Sequence, residues 1–451
     1  MGHGRKRRVA TVLAAAVAVL ALAWPAQARR ELVDKPWQPY GEGLPDDLGE
    51  QGRALVHAIL DKDEGRAVSL VEGGAPVNFA DGFGRTPLHI AVDADLPLLT
   101  QVLIDHGADI EAPDIAGLHP LHWAALPGLE GMARVLLDNG AKVNATDNED
   151  LTPLMRATFF AHAPTVRTLI DHGADVNRRS KKGRSALYTA AQFGCPEIAE
   201  LLLDAGADIE IRDESGDTPL LRAVQWAGVR SRSNVTIGYS SGGQKLPKGR
   251  PMGCKKHQAT IDLLLKRGAD PNAQNEIYET PLHWAIERGN VDAARALFDA
   301  GAEPADARYR EDEAGTPLVN QMIPPLHKAA YQGNAEMIRL LIEKGENPNS
   351  VDYNRDTALH YAARRGHLEA AKALVEAGAR VRNTRVGGRT PLSIARARGD
   401  KKMIAYLEEQ GGGADWGAIF SIGIRVVILI AVLVIARRLS RGPWRLPRRE
   451  G

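Results

Sequence analysis

Residues 86–107 read TPLHIAVDADLPLLTQVLIDHG. Thr86 can cap a helix through its hydroxyl, and Pro87 suits the first helical position because it lacks only an amide that had no partner there. Gly107 follows Thr86 by 21 residues. Both features recur along the chain. Thr-Pro-Leu-His returns whole at Thr280 to His283, and in variants starting at His119, Thr152, Ser185, Thr218, Pro324, Thr357 and Thr390. The five starts from Thr86 to Thr218 are 33 residues apart, Pro324, Thr357 and Thr390 keep the same step, and a degenerate copy starting at Arg53 precedes Thr86 by 33. A glycine stands 21 residues after nine of these starts, at Gly74, Gly107, Gly140, Gly173, Gly206, Gly301, Gly345, Gly378 and Gly411, and Gly268 fits once an insertion is allowed for. The pattern defines ten units.

On these residues the chain resembles the ankyrin-repeat family, from about Gly52 to Gln410. The resemblance implies an all-α fold: a solenoid of about ten helix-turn-helix repeats, each two antiparallel helices and a turn. Second-helix runs such as Ile198-Ala199-Glu200-Leu201-Leu202-Leu203 leave an apolar face that only a neighbouring repeat can bury. Glycine at Gly194, Gly289, Gly366 and Gly399 suits the left-handed conformation that ends the first helix. Some positions depart from the pattern. Pro324 replaces the opening threonine, Asp95 and Ala161 stand where a helix-ending glycine is usual, and Gly412 replaces alanine. These should loosen local caps without changing the architecture.

The ends of the chain read differently from its middle. Arg5, Lys6, Arg7 and Arg8 precede the apolar run Val9 to Trp24 and the small-residue pattern Ala26-Gln27-Ala28. This predicts a signal peptide over residues 1–28, with an uncleaved signal anchor as the alternative. Trp416 to Ala436 is apolar apart from Arg425 and is followed by six arginines. A central arginine costs about 2.5–3.5 kcal/mol on the insertion scale, less than the surrounding Ile, Leu, Val and Phe supply, so one C-terminal transmembrane helix is expected over 416–436. The positive-inside rule puts the basic tail, 437–451, in the cytoplasm and the repeats outside. Arg425 either snorkels or pairs with an acid on another membrane helix. The remaining divisions are a linker at 29–51, repeats at 52–410 and a glycine linker at 411–415. High alanine and arginine content looks bacterial, which makes the outside a periplasm, although Asn144-Ala145-Thr146 and Asn234-Val235-Thr236 would accept glycans in a eukaryotic secretory pathway.

The formal charge of +1 conceals a segregation: between Arg29 and Asp415 stand 46 Lys and Arg against 55 Asp and Glu, about −9. That balance argues against a nucleic-acid partner. Two insertions interrupt the period. One, about 229–257, carries Arg230, Arg232, Lys245, Lys248, Arg250, Lys255 and Lys256 with no acid, and reads either as a solvated loop or as a docking element for an acidic helix. The other, about 306–318, contains a decoy signature at Thr316-Pro317-Leu318. The two cysteines, Cys195 and Cys254, fall at equivalent inter-helix turns of adjacent repeats. In an oxidising compartment they would pair and pin one root of the first insertion; in a cytoplasmic domain the bridge would be absent.

Family resemblance places partner contacts on the concave groove and the turn tips. Eight residues after the start, repeats four, five and six carry Phe160, Phe193 and Trp226, with Phe159 beside the first. Aligned aromatics suggest a contact surface, the alternative being rings packed on their own turns. Lys181, Lys182 and Arg184 form a nearby basic tip, Tyr331 is a further contact candidate, and Arg288, Arg365 and Arg398 take the aromatic position in later repeats. His89, His122, His283, His327 and His360 recur at one repeat position, which reads as structural. No metal, cofactor or small-molecule substrate is expected. The leading function is a non-catalytic, membrane-anchored scaffold that binds a protein outside the cytoplasm. The alternatives are a membrane-complex subunit assembled through Arg425, and an enzyme without a recognisable motif.

Overall fold

The computed structural model describes residues 44–45, 47–227, 240–241, 244–245, 254–304, 323–352, 354–384 and 388–412. They form helices that come in pairs: α1 (Glu50–Leu60) and α2 (Glu64–Glu72), α3 (Pro87–Asp93) and α4 (Pro97–Asp105), α5 (Pro120–Ala125) and α6 (Glu130–Asp138). Next are α7 (Pro153–Phe159) and α8 (Ala163–Asp171), α9 (Ala186–Phe193) and α10 (Pro196–Asp204), α11 (Pro219–Trp226) and α12 (His257–Lys266). The last pairs are α13 (Pro281–Arg288) and α14 (Val291–Asp299), α15 (Pro325–Gln332) and α16 (Ala335–Glu343), α17 (Ala358–Arg365) and α18 (Leu368–Glu376), α19 (Pro391–Arg398) and α20 (Lys401–Leu407). Among the described residues the strands are β1 (Ser240–Ser241) and β2 (Gln244–Lys245), an antiparallel pair inside the first insertion.

Two compact units divide the chain: Met1–Trp284 with Asp299–Ala302, and Ala285–Phe298 with Glu303–Gly451. Repeats one to six fall in the first and eight to ten in the second. The expected signal peptide, the transmembrane segment with Arg425 and the basic tail lie outside the described residues, as do Arg230, Arg232, Lys248, Arg250 and the insertion at 306–318. No helix among the described residues is long and apolar enough to cross a membrane.

The sequence signature acts as a local folding instruction. Thr86, Thr152, Ser185 and Thr218 each accept the backbone N–H three residues on, which satisfies an amide the helix leaves without a partner. The leucine two places after each start is buried in all ten repeats, from Leu55 to Leu392, at no more than 1% exposure. Each such burial contributes about 1.5–3 kcal/mol.

Nine places after the start the backbone turns left-handed in nine of the ten repeats; in repeat six Ala227 is extended there, and the left-handed residue is Lys255, beyond the insertion. Glycine supplies this at Gly128, Gly194, Gly289, Gly333, Gly366 and Gly399, whereas Lys62, Asp95, Ala161 and Lys255 adopt φ of 55–61° despite a side chain. The caps expected to loosen at Asp95 and Ala161 keep their hydrogen bonds. Ala161 N donates to Thr158 O at 3.0 Å and His162 N to Ala157 O at 2.9 Å, as Gly194 and Cys195 do in their own repeat. Packing of the hairpin holds the turn, and the cost of about 1–2 kcal/mol stays as backbone strain. Pro324 does weaken its cap. Having neither hydroxyl nor N–H, it leaves Nδ1 of His327 without a hydrogen-bond partner.

Hydrogen bonds at three recurring places join one repeat to the next. The signature histidines donate Nε2–H forward, His89 to Leu118 O at 3.1 Å and His122 to Leu151 O at 3.0 Å. At the outer turns Asn78 Nδ2 donates to Gly107 O (2.7 Å) while its Oδ1 accepts from Asp109 N (2.8 Å), and Asn177 and Asn349 repeat the arrangement. At the tips, Ile115 N donates to Phe83 O and Asn148 N to Ala116 O. Stability is therefore shared between neighbours.

Candidate surface for a protein partner

The first-helix ends of repeats four to six build one aromatic file. Phe159 at the end of α7, Phe160 just beyond it, Phe193 closing α9 and Trp226 closing α11 are all half-buried. Phe159 meets Phe160 at 5.0 Å and Phe193 at 5.1 Å between centroids, both edge-to-face, and Phe193 meets Trp226 at 6.4 Å. The 33-residue period brings Phe193 and Trp226 together at one repeat position, whereas the ring that meets Phe193 from repeat four is Phe159, one position earlier than the expected Phe160. Below the file, Tyr188 is fully buried and donates its hydroxyl to Asp213 Oδ2 at 2.8 Å, and burial raises its pKa well above the usual phenol value. It fills the place of the signature histidine. Arg222 lies over both Tyr188 (5.4 Å) and Trp226 (5.6 Å), so a cation edges the aromatic surface.

The basic candidates divide. Lys255 and Lys256 are exposed, and their amides donate to Phe193 O (3.0 Å) and Gly194 O (2.9 Å), which fixes this root of the basic loop against the aromatic file. Lys245 lies in β2. Cys254 is bonded to Cys195, with Cα atoms 4.8 Å apart, at the same root. Lys181 is engaged with the preceding tip: its amide donates to Glu149 O and its Nζ to Asn148 O. Lys182 is half-buried beside it, and Arg184 lies over Tyr188 at 5.6 Å.

Tyr331 belongs to the second compact unit, where it meets Tyr361 at 6.4 Å and lies under Arg365 at 4.3 Å. Tyr361 and Arg364 were missed from sequence. Tyr361 donates to Asp352 Oδ2 at 2.8 Å, and Arg364 pairs with the buried Asp356. The signal was present four and seven places after Thr357, where Arg222 and Phe159 lie in their own repeats, but a single position was followed.

The histidines are occupied by structure. In His89 and His122, Nδ1 accepts from the residue three places earlier and Nε2 donates to the next repeat, leaving no nitrogen for a ligand. Burial lowers the pKa of each to about 4. His283 and His327 are also lowered by burial. Among the described residues no three His, Cys, Asp or Glu are placed to hold a metal ion.

Paired helices, periodic left-handed turns and forward histidine bonds define a helical-repeat protein. A family model described as ankyrin repeats (3 copies) matches residues 55–147, 144–213, 252–352 and 326–418. The chain belongs to the ankyrin-repeat family. It is 45% identical over 51 residues to an ankyrin repeat protein of Acanthamoeba polyphaga mimivirus, a stretch that is 11% of this chain and 32% of that protein. The chain thus spans about a third of the length of that curated relative.

Proposed function

We propose that this protein is a non-catalytic scaffold that binds another protein through the aromatic file of repeats four to six, held at a membrane with its repeats on the extracytoplasmic side. Ankyrin repeats point to protein binding, and the family match covers both compact units. The observation that carries the assignment of the surface is the unbroken file from Phe159 to Trp226, half-exposed and edged by Arg222, Lys255 and Lys256. Rigid aromatic groups in one patch supply most of the binding energy in typical protein interfaces. The membrane part rests on the apolar run 416–436 and its following arginines, and the extracytoplasmic part on the 1–28 leader pattern. The Cys195–Cys254 bridge supports an oxidising compartment.

Crosslinking in intact cells followed by mass spectrometry tests the surface, comparing the parent with a Phe160→Ala, Phe193→Ala, Trp226→Ala variant. Loss of specific crosslinked proteins is expected; an unchanged set removes the aromatic file as the contact. Protease added to sealed membranes of known orientation tests the topology, and repeats protected from the extracytoplasmic side would refute it. Arg425 within the apolar run favours a second reading, membrane-complex assembly. Arg425→Leu should then disperse the complex in detergent, whereas an intact complex means that the side chain only snorkels.

A further inference from the structure

In the second compact unit the first-helix ends of repeats nine and ten carry arginine at the position where repeats four to six carry aromatic rings. Arg365 closes α17 and Arg398 closes α19, both exposed, at the same repeat position on neighbouring helices. Arg365 is stacked on the Tyr331 ring at 4.3 Å, and Arg398 is held by an Nη1–H bond to Arg364 O at 3.0 Å. Nearby cations are already neutralised: Lys328 by Glu287, Arg364 by Asp356 and Arg396 by Glu408. Asp400 spends one carboxylate oxygen on the Met403 amide that begins α20. Two oriented guanidiniums are therefore exposed, Arg365 on the Tyr331 ring, which meets the buried Tyr361 edge-to-face at 6.4 Å, and Arg398 beside Gly366, where the second oxygen of Asp400 also lies.

We infer that this face of α15, α17 and α19 docks an extended acidic segment of a protein partner, with a carboxylate on each of Arg365 and Arg398. An arginine fork takes a carboxylate through two parallel hydrogen bonds, and stacking on a ring fixes the fork in advance. Neighbouring helices pack about 8–10 Å apart, and an extended chain rises about 3.3 Å per residue, so the fitting acids stand about three residues apart. The charge of about −9 across the repeats repels a long polyanion, whereas a short acidic peptide meets only the local positive pair. The inference rests on the scaffold reading only in taking the partner to be a protein.

The test uses the full chain and a short fluorescein-labelled peptide repeating Glu-Gly-Ser, read by fluorescence anisotropy. The parent should bind it, and a Gln-Gly-Ser repeat should not bind. Arg365→Ala with Arg398→Ala should weaken binding by about tenfold or more, and Arg365→Lys with Arg398→Lys should recover only part, because charge returns without the fork. Both side chains are exposed, so circular dichroism and the melting midpoint should match the parent. Equal binding of the Gln repeat, an unchanged double-alanine variant or no binding by the parent overturns the inference. So does displacement of the peptide by a single-stranded ribo-oligonucleotide at lower concentration than by unlabelled peptide. The double-alanine variant should keep the crosslinks that depend on Phe160, Phe193 and Trp226, which separates failure here from failure of the aromatic surface.

Discussion

His89 and His122 are each enclosed by the repeat they begin and the one that follows, and each works as a neutral ring with one nitrogen accepting and the other donating. Protonation would put a second N–H where an acceptor is needed, in a fully buried site. Their folded pKa of about 4 lies below the unfolded 6.5, so the unfolded chain takes up protons first as pH falls. Their contribution is fully present above pH 6.5 and declines as pH drops toward 4, by about 2 kcal/mol for each at pH 5. Urea unfolding at pH 7.5 and pH 5 should show this loss, with a smaller slope in His122→Gln; equal slopes in parent and variant would exclude the histidine as its source. Recurrence at one repeat position made the structural role of these residues legible in the sequence. The substitution of Tyr188 for the histidine of repeat five was not, because its partner Asp213 is fixed only when the next repeat folds against it.

At the scale of the helical hairpin, the signature and the left-handed turn are separable instructions. Pro324 keeps the backbone of the first but loses its polar groups, and His327 Nδ1 is left alone in a buried site. Pro324→Thr should restore the hydroxyl cap and the amide donor to His327 and raise stability by about 1 kcal/mol. The second compact unit should then unfold at a higher urea concentration, and the gain should shrink in a His327→Ala background; an equal gain without the ring would mean that the orphaned nitrogen carries no cost. The turn behaves in the opposite way. Asp95 and Ala161 adopt the glycine conformation because the hairpin on either side overrides the local preference. Rules of residue preference alone pointed to loosening there, since they omit the packing that compels the backbone.

For the whole molecule, the bridge between Cys195 and Cys254 encloses the first insertion and ties its root to repeat five. Closing a loop of separation 59 stabilises by up to about 4 kcal/mol in the chain-entropy account. Reduction should therefore increase hydrogen exchange in α12 and at Lys255 and Lys256, while α15 to α20 keep their protection; unchanged exchange in α12 would show that the bridge does not stabilise this repeat. The family, the ten repeats, their helices and the buried leucines were determined by sequence, because a 33-residue period encodes local structure and the same neighbour contacts each time. Tertiary structure decided which side chains share a surface. It joined Phe159 to Trp226 edge by edge, tied Lys181 to the preceding tip and set Arg365 on Tyr331. Sequence period gives a residue its address in the stack, but the direction of a side chain and the partner that neutralises it depend on what the neighbouring repeat places beside it.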